Sequence, residues 1–162
     1  MKRVLSLLFL CFFLLCGCFG NAEDSTDSIR FYYVRSAYRE DMTSLIEPEP
    51  RDAAGHQDDL NYLLALYLIG PSSDELLCPI PADTELLSAV QDSKKITIKL
   101  SNTEKNMSEP QFALSCACLS MTCLDMTDAE SVTVISGTRT ITMTRDNLSL
   151  TDKTIATTED TP

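Results

Sequence analysis

Ile29-Arg30-Phe31-Tyr32-Tyr33-Val34 is rich in aromatic and β-branched residues and predicts a strand. Glu47-Pro48-Glu49-Pro50 and the residues as far as Gln57 predict irregular structure, because each proline removes a backbone donor. Asp58 or Asp59 can then cap a helix, in which Leu60, Leu63, Leu64, Tyr67 and Leu68 repeat at helical spacing. Gly70-Pro71 stops it. Thr84 to Val90 and Lys95 to Leu100 read as a hairpin about Asp92-Ser93, with Ile96, Ile98 and Leu100 alternating with Thr97 and Lys99. Ser108, followed by Glu109 and Pro110, opens a second helix, and Phe112, Cys116, Leu119, Cys123 and Met126 share one of its faces. Ser131–Ile135 and Arg139–Met143, joined by Ser136-Gly137-Thr138, read as a second hairpin. The order β-α-β-β-α-β-β predicts an α+β fold. Its simplest form is a two-layer sandwich, a mixed or antiparallel sheet with two helices packed on one face.

The N-terminal residues follow a different pattern. Lys2 and Arg3 precede a nearly unbroken apolar run from Val4 to Cys16. That run is shorter than the roughly 20 residues a spanning helix needs, and it suits the apolar region of a signal peptide. Leu15-Cys16-Gly17-Cys18 resembles the lipobox of bacterial lipoproteins, which implies cleavage after residue 17 and lipidation of Cys18. An ordinary secretory signal cut after Gly17 or Gly20 is the other reading. Residues 18–28 are polar and acidic and read as a flexible tether. Residues 151–162 are Thr-rich and acidic and read as a frayed tail. Residues 29–150 are left for one domain.

The chain has 162 residues, with 13 Lys and Arg against 24 Asp and Glu, a formal charge of −11. Cleavage before Cys18 would remove two cations and leave −13. That charge excludes a protein that grips nucleic acid through its phosphates, and an anionic membrane surface would repel it. The lipid on Cys18 must therefore hold the protein at the outer face of the cytoplasmic membrane. Each buried CH₂ contributes about 0.8 kcal/mol, and a single acyl chain anchors only marginally.

Cys78, Cys116, Cys118 and Cys123 lie in the domain. On a helix, Cys116 and Cys123 are about 10.5 Å apart along the axis, and Cys118 lies about 200° round from Cys116. Those positions cannot converge on one metal ion, so Cys116 and Cys123 read as small core residues. A Cys78–Cys118 disulfide is compatible with an extracytoplasmic location. The single histidine, His56, lies in a loop beside Gly55, near Asp58 and Asp59. No nucleophile elbow, phosphate-binding loop or dinucleotide fingerprint is present. No metal or cofactor is expected.

Several residues nevertheless fall into a recognisable order. Leu66-Tyr-Leu-Ile-Gly70-Pro71 is followed by Cys78-Pro-Ile80-Pro81-Ala-Asp-Thr84 and then by Ile96-Thr-Ile-Lys-Leu100-Ser101. A small-residue helix reaches Thr122-Cys123, and Val132-Thr-Val-Ile-Ser-Gly137 closes the series. Upstream stand Leu45-Ile-Glu47 and Arg51. From about Ile29 to Leu150 this resembles the GerMN domain family of sporulation, germination and bacterial lipoproteins. Asp83, Lys99 and Met121-Thr122-Cys123 depart from the family pattern but keep its loop, strand and core roles. The resemblance implies a fold similar to the ring-building motifs of secretion and sporulation assemblies. It also implies a domain that binds proteins or envelope components without catalysis. Gly70, Pro71, Ile80, Pro81, Thr84, Leu100, Ser101, Thr122 and Gly137 then read as packing devices of that fold.

The reading that follows is a lipid-anchored, non-catalytic interaction module for an envelope protein partner, touching it through an exposed sheet edge or the Glu47–Asp59 loop. Two other classes carry distinct requirements. A wall hydrolase needs two acids across a cleft, one with a raised pKa. A binder of small ligands or wall fragments needs a concave aromatic pocket, for which Tyr32, Tyr33 and Tyr38 are the available rings.

Overall fold

The computed structural model describes residues 28–37, 44–101 and 107–148. The leader, residues 18–27 of the tether with Cys18, Tyr38, the last two residues of the 29–150 domain and the whole 151–162 tail lie outside the described residues, whereas Ser28, read as the end of the tether, is described. The elements are β1 (Ser28–Arg35), β2 (Ile46–Asp52), α1 (Leu60–Ile69), β3 (Leu76–Leu77), β4 (Leu86–Asp92), β5 (Lys95–Leu100), α2 (Glu109–Met126), β6 (Ser131–Ser136), β7 (Arg139–Thr144) and α3 (Arg145–Leu148).

The class is α+β, but the strands divide into two sheets. One has the order β2-β1-β3 and is antiparallel; the other has the order β4-β5-β6-β7, with only the β5–β6 pair parallel. That parallel pair requires a crossover, and α2 provides it. The two helices lie on the face of the larger sheet that carries Ile96, Ile98, Leu100, Val132 and Val134. On its other side α2 packs against β1, so it is enclosed between the two sheets.

This enclosure explains why α2 buries more than one stripe. Besides Phe112, Cys116, Leu119 and Cys123, it buries Ser115, Cys118, Ser120, Thr122 and Leu124. Small side chains suit a helix with a sheet on either side. The α2 N-terminus follows its sequence signal: the Ser108 hydroxyl accepts from Gln111 N–H, and the Gln111 side chain accepts from Ser108 N–H, a capping box with Pro110 in the first turn.

The residues after Glu47 correct the sequence reading. Ile46–Asp52 form a strand in antiparallel register with β1. Arg35 N–H donates to the Leu45 carbonyl at 3.0 Å, which fixes the odd-numbered β2 residues as those bonded to β1. Pro48 and Pro50 therefore turn their nitrogens away from the ladder, the one place where a strand tolerates proline. Irregular structure begins only at Ala53. Both hairpins form, through the closing pairs Asp92/Lys95 and Ser136/Arg139. Their two-residue loops place Ser93 (φ +54°) and Gly137 (φ +57°) in the left-handed region, which only the glycine adopts without strain. Strand β4 begins at Leu86 rather than Thr84, because Thr84 N–H is engaged in a turn with the Pro81 carbonyl.

The core centres on three rings. Tyr33 and Tyr67 stack at 4.8 Å, and Phe31 meets Tyr67 edge-on at 5.6 Å. Both phenols are satisfied: Tyr33 donates to the Tyr67 carbonyl and Tyr67 to the Tyr32 carbonyl. No helix among the described residues is long and apolar enough to cross a membrane.

Candidate interaction surface

A sheet edge displays every second residue's N–H and C=O to its surroundings, so each edge here has a definite set of groups to satisfy. On β2 the outward residues are even-numbered. Ile46 exchanges hydrogen bonds with the Ser44 hydroxyl, and Pro48 and Pro50 have no donor to offer. On the opposite side of the small sheet, β3 covers only the end of β1, and Leu76 N–H is taken by the Ser73 carbonyl. Beyond β3, Tyr32 is the next exposed backbone of β1. Its N–H donates to Thr122 Oγ1 at 3.0 Å and its carbonyl accepts from the Tyr67 phenol at 3.1 Å. Thr122 also donates to the Cys118 carbonyl, so one α2 hydroxyl joins the helix to the strand.

The larger sheet ends at β4 and β7. The Asp92/Lys95 closing pair makes Ala89 an outward residue of β4. The Asn61 side chain of α1 takes both of its groups, accepting from Ala89 N–H at 2.9 Å and donating to its carbonyl at 3.1 Å. An irregular register between Leu86 and Ser88 interrupts the edge beyond it. On β7 the same counting from Ser136/Arg139 makes Thr140, Thr142 and Thr144 outward. The Thr133 and Thr142 hydroxyls, 2.9 Å apart, mark the close approach of a non-hydrogen-bonded pair. Thr144 N–H is capped by the Asn147 side chain at 2.8 Å. Among the described residues, Thr140 and Thr142 form the one run of two successive outward residues with free N–H and C=O groups.

Beside that edge lies a groove of about 310 Å³ between β7, α2, α3 and the start of β2. Ile46, Ala117, Met121, Ile141, Met143 and Leu148 give it an apolar lining, and no ionisable side chain borders it. Open backbone groups beside an apolar groove are what an added strand needs: main-chain partners for affinity and a seat for alternate side chains.

The family-motif residues sit elsewhere, as supports. Gly70 adopts φ +101°, and a Cβ there would meet Cys78 Cβ at 3.9 Å, so its glycine is a conformational requirement rather than a steric one. Its carbonyl accepts from Arg51, whose Nε also contacts Glu49 at 2.8 Å. The other Glu49 oxygen accepts from Ser72 and Ser73 N–H, tying the turn after Pro71 to β2. The acidic partner in this knot is Glu49; Glu47, the residue read from the sequence, pairs with Arg35. Ile80 and Leu100 are in the core, and Pro81 supports the turn at Thr84, whose buried hydroxyl has no partner among the described residues. Ser101 pairs with Glu85 through backbone and hydroxyl, and its carbonyl accepts from Ser136, next to Gly137. Sequence reasoning missed Asn61, Thr140 and Thr142; no local pattern distinguishes them.

The groups considered for chemistry are held in quiet states. Burial pushes the Cys116, Cys118 and Cys123 thiols up to about 12 and raises that of Cys78, the opposite of a reactive thiolate. All four are free thiols, so the Cys78–Cys118 disulfide is not formed. His56 is exposed and stacks on Tyr62 at 4.1 Å. Asp58 and Asp128 border one polar depression, but hydrogen bonding and charge from Lys94 hold the Asp128 carboxyl below its usual range, contrary to a raised proton donor. Tyr33 belongs to the core rather than to an aromatic pocket. Among the described residues no His, Cys, Asp or Glu cluster could hold a metal ion.

No protein-family model matches the chain, and no curated protein matches it. Among solved structures it is similar to the tandem GerMN domains of the sporulation protein GerM from Bacillus subtilis. That match has a TM-score of 0.51 at 19% identity and covers 74% of this chain and 43% of the tandem chain. It is also similar to the first GerMN domain of the same protein (TM-score 0.44, 16% identity, 70% and 85% covered). A candidate lipoprotein from Clostridium perfringens shows TM-score 0.47, 20% identity, and 78% and 94% coverage.

Proposed function

The domain has a GerMN-like fold, and we propose that it is an interaction module held at the outer face of the cytoplasmic membrane by a lipid on Cys18. The acidic tether carries it clear of the surface, and it performs no catalysis. Its partner is an envelope protein, in an assembly related to sporulation, germination or envelope organisation. The observation that carries this reading is the treatment of the sheet edges. Side chains, prolines or irregular register interrupt the others, while β7 keeps two successive open residues beside an uncharged apolar groove. The partner contributes an extended segment with apolar residues at alternate positions, added beside Thr140 and Thr142.

Mass spectrometry of the native protein tests the anchor: a diacylglyceryl thioether on an N-terminal Cys18 is expected, and an unmodified residue 18 contradicts it. A photoreactive residue at position 140 in cells tests the surface. Crosslinks confined to one extended partner segment support the reading, and equal yields from a probe at Lys99 on the open sheet face contradict it.

A further inference from the structure

Helix α1 is apolar nearly all round. None of its ten side chains is charged, and its Asn61 is engaged on the β4 edge. A helix of that composition belongs in an interior, yet only one side of α1 is covered. Leu63, Leu64 and Tyr67 are buried, while Tyr62, Ala65, Leu66 and Ile69 recur at spacings of 3, 4 and 7 on the opposite side. Tyr62 and Ala65 are exposed, Leu66 is half-buried, and Ile69 is 81% exposed. The stripe is about 10 Å long. The exposed His56 ring stacks on Tyr62 at its N-terminal end. A single exposed isoleucine is ordinary, but a charge-free stripe on a chain of net charge −11 marks a contact surface.

Acids stand at both ends of the stripe. Asp58 and Asp59 precede α1, Asp74 and Glu75 lie in the turn after Pro71, and all four are exposed. Among the described residues none of the four has a cationic partner. The last turn of α1 holds no basic residue, and Arg51, which reaches the Gly70 carbonyl, is already paired with Glu49. Both ends are therefore electronegative, the C-terminal one through the helix dipole as well. These charges select the occupant. An anionic membrane surface is repelled at both ends. A second copy brings acid against acid whichever way the two helices run. An extended segment finds no open main-chain groups, because a helix bonds its backbone along its own axis. Another helix arrives with its backbone already satisfied and can pack its side-chain ridge against this one.

We infer that α1 is a second docking surface and that its occupant is an amphipathic helix of another protein. The apolar residues of that helix, at spacings of 3, 4 and 7, pack on Tyr62, Ala65, Leu66 and Ile69. Lys or Arg at each of its ends faces the two acid pairs. The stripe supplies the contact, and the end charges set register and choice of partner. This surface does not rest on the reading of the β7 edge.

A photoreactive residue at position 69 in cells, with the crosslinked peptide sequenced by mass spectrometry, tests the inference. The expected product is one segment of another protein with that apolar spacing and with basic residues at both ends. Ala65→Glu places a charge in the middle of the stripe, and Asp74→Lys/Glu75→Lys reverses one acidic end. Each is expected to lower the yield by roughly tenfold or more. Both variants should melt within a few degrees of the parent, because the altered side chains are exposed. Products joined to lipid, to a second copy of this chain or to a segment without basic ends overturn the inference. So do the absence of any product and a yield that both folded variants leave unchanged. Crosslinks at position 140 report on β7 separately, so either surface can fail without the other.

Discussion

Asn61 lies at the exposed start of α1, where substitutions ordinarily change stability by no more than about 0.5 kcal/mol. The structure gives it a larger role, because its amide serves both backbone groups of Ala89 on the β4 edge. Asn61→Leu keeps the branched shape of the side chain and removes both bonds. Two neutral hydrogen bonds contribute about 1 kcal/mol each, and more where the abandoned groups stay shielded from water. Ala89 is itself buried beneath α1, so its N–H and C=O are poorly placed to recover a water partner. The better helix propensity of leucine returns a few tenths of a kcal/mol. A net loss of about 2–3 kcal/mol follows, or roughly 8–12 °C in Tm for a domain near 120 residues. Urea unfolding of the soluble chain measures it, with Ala65→Gln on the same helix as the control that stays within about 0.5 kcal/mol. A loss under 0.5 kcal/mol for Asn61→Leu would show that the edge does not depend on its amide.

Three further outcomes follow from the supports of the fold. Glu49→Ala leaves Arg51 without its carboxylate and two backbone donors without an acceptor, and is expected to cost about 3–5 kcal/mol in urea unfolding, whereas Glu47→Ala at the rim pair costs under about 1 kcal/mol. Gly70→Ala meets no atom closer than 3.9 Å, so its cost is the strain of φ +101° alone, about 1–3 kcal/mol, read as a Tm loss with unchanged circular dichroism. The buried thiols set an alkaline limit. Their folded pKa values of about 12 stand above the ordinary 9.0, so the unfolded chain releases protons first and stability falls as pH rises from 9 towards 12. Each such thiol weakens the fold by about 1.4 kcal/mol per pH unit in that window. Alkaline unfolding should shift to higher pH in Cys116→Ala, despite its lower stability at pH 7.

The hairpins and the α2 cap were legible because their signals are local: a turn pair between alternating runs, and Ser108 followed by Glu109 and Pro110. Strand β2 was not, because proline breaks a central strand and is tolerated at an edge, and the sequence does not say which position a strand will take. The same blindness exchanged Glu49 for Glu47, since facing follows from register with β1. Helix α2 showed its apolar stripe and hid its second contact, because Ser115, Ser120 and Thr122 are polar by name and small enough for a helix between two sheets. Asn61 carried no signal at all; only the spatial meeting of α1 with the β4 edge gives its amide a partner. The open β7 edge was not legible either, because its meaning depends on how every other edge is satisfied.

Whether β7 is the docking edge is decided by proline at positions 140 and 142. Both nitrogens point away from β6, so the substitutions remove the donors offered to an added strand while the ladder to β6 remains. The Thr140→Pro/Thr142→Pro protein is expected to melt within a few degrees of the parent and to fail to recover, from envelope fractions, the partner crosslinked at position 140. A folded double variant that recovers that partner in undiminished yield would contradict it.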